Sequence, residues 1–158
     1  MTRQIHVRIL IATTLAVCVT LMPLLAQNRN TTTVVHVPAG DAASTIQKAI
    51  AAKMPQLATG SNFNMMVLIR AEAGTPEFHA KRVHVFFIQD GEATFVSGGS
   101  IEGAKDTGPG EIRGTSIANG TTMTLRKDDV VVVPAGTPHW FKEVRPKVTY
   151  FSVNIDQP

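Results

Sequence analysis

Three histidines and a glutamate stand at spacings that can do chemistry. Within "PEFHAKRVHVFF", residues 76–87, Glu77 and His79 are two apart and His84 follows five positions later. Residues two apart on a strand project from one face, so Glu77 and His79 would share a surface. A turn through Ala80, Lys81 and Arg82 would then return His84 on the neighbouring strand. Far along the chain, "VVVVPAGTPHWF" supplies His139 beside proline and glycine. Imidazole with one carboxylate suits a divalent transition ion. Taken singly, each histidine reads as a satisfied core or turn residue. His36, with nothing nearby to make it a ligand, reads as a packing or surface residue.

The elements that must position these side chains follow from composition and periodicity. At 158 residues the chain holds one domain with a single core. Its low charge, β-branched runs, 12 glycines and 9 prolines favour short strands and sharp turns. "FNMMVLIRA" alternates Phe63, Met65, Val67 and Ile69 on one face with Asn64, Met66, Leu68 and Arg70 on the other, both partly covered. Further strands are expected in "HVFFIQD", "EATFVS", "TTMTLR", "VVVVP", "HWFKEV" and "KVTYFSVNI". Turns fall at Asp90-Gly91, Gly98-Gly99, Asn119-Gly120, Asp128-Asp129 and Ala135-Gly136. "SIEGAKDTGPGEIRGTS" reads as the longest loop, with Glu111 and Arg113, two apart, as a surface ion pair or else an acid/base or a lid clamp. Before the barrel, a short strand is expected around Thr33 to Val37. A helix over 41–53 follows, capped by Asp41 or Ser44, with Ile46, Ala49, Ile50 and Lys53 at helical spacing. The pattern is all-β and antiparallel, a sandwich or barrel.

Residues 1–26 read as a secretory signal: Arg3 and Arg8 head an apolar stretch that ends at Ala26. Residues 27–61 then carry the N-terminal strand and helix, and 62–158 the barrel. Cleavage near Ala26–Gln27 removes Cys18, the single cysteine, so the mature chain folds without a disulfide. It also reduces 15 Lys and Arg to 13 against 12 Asp and Glu, about +1. That charge gives no reason to expect a nucleic-acid partner, and after cleavage none to expect a membrane. The destination expected is the periplasm or the exterior.

The histidine motifs carry a resemblance. Glu77-x-His79, four residues, His84, six residues and Gly91 follow the spacing of the first cupin motif, which usually has His-x-His, then Glu, then Gly. The identities differ: Glu77 stands where the first His is usual and His84 where the Glu is usual. The second motif has Gly, five residues, Pro-x-Gly-x-x-His, three residues, Asn. Pro134, Gly136 and His139 match it, Asp128 replaces the Gly, and Glu143 replaces the Asn. The chain therefore resembles a small single-domain cupin from about Asn62 to Ile155. The fold this implies is a double-stranded β-helix, or jelly-roll, barrel with one short N-terminal helix.

The resemblance further implies one divalent metal ion, Fe, Mn, Ni, Cu or Zn, held by Glu77, His79, His84 and His139. Glu77 would otherwise serve as a partner that orients a histidine. The open positions would favour a small oxygenated or anionic molecule, with Lys81 and Arg82 reinforcing the preference at the mouth. The activities implied are of dioxygenase, lyase or isomerase type; a non-catalytic binding or sensing barrel is the alternative. His84, Phe86 and Ile88 would alternate inward, with Met65 and Phe151 as further lining. Trp140 and Phe87 would point outward, to a homodimer interface or beneath the helix.

Overall fold

The computed structural model describes residues 31–51 and 55–158. The signal segment, Cys18 and the expected helix end at Lys53 lie outside the described residues. A short 3-10 turn at Ala39–Asp41 leads into α1 (Ala42–Ala51). Eleven strands follow: β1 (Gln56–Thr59), β2 (Phe63–Arg70), β3 (Glu77–His79), β4 (Arg82–Ser97), β5 (Ser100–Glu102), β6 (Lys105–Gly108), β7 (Glu111–Arg113), β8 (Ser116–Ala118), β9 (Thr121–Arg126), β10 (Val130–Val133) and β11 (His139–Asp156). The fold is all-β with antiparallel sheets and one short helix, in keeping with the expected jelly roll.

Two long strands organise it. β4 and β11 pair from His139 opposite Ser97 to Asp156 opposite Arg82. β10 and β9 extend the far edge of β4. β2 and then β1 extend the far edge of β11, whose first residue also pairs with β3. The expected turn at Asp90-Gly91 is not a turn. β4 runs through it, because β11 offers a continuous partner and absorbs the bend as a bulge between Arg145 and Val148. Gly91 makes that bend possible. Its φ is +83°, and a Cβ there would lie 1.8 Å from the Lys147 carbonyl oxygen. Gly91→Ala is expected to cost at least about 2 kcal/mol, lowering the melting temperature by about 4–8 °C. A melting curve unchanged from wild type would contradict this account of the bulge.

The other four expected turns form. Asn119 and Asp128 take φ of 58° and 72°, conformations that short polar side chains tolerate. The family's usual glycine thus has a physical substitute at Asp128. The expected loop over residues 100–116 is instead β5 to β8, and β7 docks on β3. The strand expected around Thr33–Val37 is absent. Val34 is 94% exposed, and residues 33–37 make no ladder, although Val37 packs against the cluster of Val67 and Phe151; β-propensity without a pairing partner does not make a strand.

Alternation divides the side chains into two layers. Phe86, Ile88, Phe95, Leu125, Phe141 and Tyr150 fill the barrel core. Ile46 and Ala49 of α1 pack on Val67 and Phe151, with Met65 beside them. Met65 and Phe151 therefore lie under the helix and not in the barrel cavity, as their parity with Val67 requires; Ile50 faces outward at 39% exposure. Phe87 is exposed as expected, whereas Trp140 is half-buried and its indole N–H donates to the Gly74 carbonyl at 2.8 Å.

Candidate metal centre

His79 ends β3, His84 lies near the start of β4, and His139 opens β11. Backbone contacts bring these ends together. Gly136, at φ +73°, turns the "PAGTPH" segment so that its N–H donates to the His79 carbonyl at 2.8 Å, and Gly98 N–H donates to the Pro138 carbonyl at 2.9 Å. The three rings are 5%, 8% and 4% exposed, with centroids 4.9, 5.4 and 5.0 Å apart. One potential ligand atom from each lies within 4.8 Å of the others. Glu77 adjoins this set, its Oε2 3.3 Å from His79 Nε2 and 3.9 Å from His139 Nε2. The four residues singled out from the sequence thus meet at one place.

What faces the other ring nitrogen decides how each imidazole can act. His84 Nδ1 donates to Asn154 Oδ1 at 2.6 Å, and His139 Nδ1 donates to the Thr137 carbonyl at 3.0 Å. His79 Nδ1 donates to the Glu111 carboxylate. With Nδ1 protonated in each ring, Nε2 carries the lone pair in the neutral form, which is the tautomer a metal needs. Asn154 is itself fixed: it accepts from Ser152 Oγ at 2.6 Å and donates to Asn64 Oδ1 at 2.7 Å. His84 Nε2 is buried with no hydrogen-bond partner. An orphaned lone pair of this kind carries a desolvation cost that a cation would offset. The donor set fits a divalent ion, and the three histidines could hold one.

Electrostatics separates the four groups. Burial pushes the Glu77 carboxyl up, but hydrogen bonds from His79 and Arg113, with the charges around them, outweigh it and hold the group at about 2. The bond to Glu77 raises His79 against the opposing effect of burial, and Glu111 adds to the rise. Burial lowers His84 to about 4 and lowers His139 as well. As pH rises, His84 and His139 thus lose their protons below the ordinary imidazole value and His79 above it, so His79 is the last ring from which a cation must displace a proton. Divalent-ion affinity is therefore expected to climb with pH through the imidazole range and level off above the raised His79 value, with about one proton released per ion bound. Calorimetry in two buffers of different ionisation enthalpy measures that proton; uptake without proton release would contradict the assignment.

Two neighbouring residues have roles that the sequence left open. Glu111 and Arg113 do not pair with each other: Glu111 accepts from His79, and Arg113 binds Glu77 Oε1. Their i, i+2 spacing marked a shared face, but not that β7 would dock on β3. Of the expected basic mouth, Arg82 is bound to Asp156 at 2.7 Å and Lys81 is exposed. Glu143, in the second motif's final position, is exposed and pairs with Arg145 and Thr94, away from the histidines. A cavity of about 110 Å³ opens beside the cluster, lined by Arg70, Glu77, His84, His139, Tyr150 and Asn154 among others. Trp140 also forms part of its wall, contrary to its expected outward direction.

A small antiparallel β-barrel with a buried three-histidine cluster at the mouth of its core defines the class. The family sequence model for Cupin matches residues 38–158, and the chain belongs to that family. Solved structures similar to it include the Schizosaccharomyces pombe Cnp3 cupin domain, at 18% identity and TM-score 0.46, covering 65% of this chain and 62% of that one. A predicted oxalate decarboxylase from Thermotoga maritima matches at 16% identity and TM-score 0.40, covering 68% and 73%. The DMSP lyase DddQ from Ruegeria pomeroyi DSS-3 matches at 16% and 0.42, covering 63% and 41%. The chain thus spans less than two thirds of the first and third of these, and such likenesses assign it no substrate. No curated protein matches the chain.

Proposed function

We propose that this cupin is a metal-dependent enzyme acting on a small oxygenated or anionic molecule, in chemistry of dioxygenase, lyase or isomerase type. The observation that carries the reading is the His84 ring, fixed by Asn154 with its buried Nε2 unpartnered beside two further imidazoles. In this reading His79, His84 and His139 hold Fe, Mn, Ni, Cu or Zn, and Glu77 supplies a fourth ligand. A divalent ion bound there supplies Lewis-acid polarisation of a substrate oxygen. Glu111, Asn154 and the Thr137 carbonyl keep the Nδ1 protons in place. Glu77, held at about 2, remains a carboxylate and does not act as a proton donor. Phe86, Phe95 and Phe141 close the barrel beneath and exclude water.

The apolar N-terminal segment supports export to the periplasm or exterior as part of the proposal. Exposed Phe87, Val130 and Val132 on the outer face support a homodimer. The test is turnover of a panel of small oxygenated acids, with oxygen consumption followed in parallel. Turnover abolished by chelator and restored by one divalent ion supports the enzyme reading. Saturable binding with no turnover of any panel member selects the binding or sensing alternative.

A further inference from the structure

Among the described arginines, Arg82, Arg113, Arg126 and Arg145 each have a carboxylate partner, and Arg70 has none. Arg70 ends β2 on the same face as Leu68 and lines the cavity beside the histidine cluster. Its Nε is buried without a hydrogen-bond partner. The guanidinium carbon lies 5.1 Å from the centroid of the Phe141 ring, and a Cβ at Gly74 would come within 2.8 Å of Nη1. Gly74 is itself bonded to the Phe141 carbonyl at 2.8 Å. Ring and backbone together confine the group. The Tyr150 side chain, 2% exposed, lines the same cavity as Arg70 and carries a phenolic O–H that can donate.

A confined guanidinium with an unsatisfied N–H, next to a phenol with a proton to donate, is a donor array for an anion. We propose that Arg70 and Tyr150 bind the carboxylate of a small organic acid inside the barrel, which names the substrate class of the site above and rests on that reading. Size narrows it further: about 110 Å³ is well under the roughly 300–1,000 Å³ of pockets for drug-sized ligands, so the acid has few carbons. Arg70, Tyr150, His84 and His139 line the same cavity, so one small acid can reach both the donor pair and two of the three imidazoles.

The test titrates acetate and its neutral isostere acetamide into metal-free and metal-loaded protein, with metal content measured on the same samples. Acetate is expected to bind at least about 10-fold more tightly than acetamide. Arg70→Gln is expected to weaken acetate by about 10–100-fold with metal content unchanged, and Arg70→Lys to recover part of that loss. Tyr150→Phe, which keeps the packing, is expected to weaken acetate by about 3–10-fold, and with Arg70→Lys it decides the matter if Arg70→Gln does not fold. Acetate affinity in the variants within twofold of wild type overturns the inference even if one metal ion is bound. So does tighter binding of acetamide or inorganic phosphate than of acetate. Arg70-dependent acetate binding in a protein that takes up no metal keeps this inference and overturns the metal reading alone.

Discussion

His84→Ala is expected to lower divalent-ion affinity by at least about 100-fold and to abolish the stabilisation that the ion confers. The reasoning starts from the ring's two nitrogens. Nδ1 is committed to Asn154, and buried Nε2 has no partner, so in the metal-free protein the lone pair is a liability. An ion at 100 times its dissociation constant adds about 2.7 kcal/mol. For a chain of this length that is a rise in melting temperature of about 5–10 °C. Wild type is expected to show that rise with one equivalent bound, and the variant to melt at one temperature with or without the ion. Thermal unfolding with parallel elemental analysis measures both. A variant that still gains the full increment would show that His84 is a core residue and no ligand.

Phe95→Ala is expected to cost about 3–5 kcal/mol, the range for removing a buried aromatic ring. Phe95 is fully buried, with its ring centroid 5.0 Å from Phe141, 6.1 Å from Phe86 and 6.2 Å from His139. Its removal opens a void under the centre, so the melting temperature is expected to fall by about 6–20 °C. Denaturant unfolding of the metal-free protein checks it, and a loss below about 1 kcal/mol would contradict the placement of the core. The two substitutions differ in kind. One removes a ligand from a barrel that still folds, the other weakens the barrel that aims the ligands.

Much of this site was legible in the sequence because its signals are local. The Glu77-x-His79 spacing gives a shared face on a strand, and "PAGTPH" contains the Pro and Gly that aim His139. Alternation along β4 correctly placed His84, Phe86 and Ile88 inward. What was not legible depends on partners remote in sequence. Asp90-Gly91 has the composition of a hairpin turn, and only the unbroken length of β11 makes it a bend. Glu111 and Arg113 reach Glu77 and His79 because β7 docks on β3, a pairing that nothing in the "GPGEIRGTS" segment announces. Asn154 serves His84 from 70 positions away. Met65 and Phe151 were placed in the cavity although Met65 shares the parity of Val67, which faces the helix. Arg70, on the opposite face with Asn64, Met66 and Leu68, had the visible alternation but no cue that its charge would lack a carboxylate.

The most direct measurement follows the imidazole nitrogens of 15N-labelled protein as zinc is added. The account predicts that His79, His84 and His139 change together at their Nε2 positions, saturating at one equivalent, while His36 is unaffected. Changes confined to one ring, changes at Nδ1, or shifts that never saturate would contradict a shared metal centre.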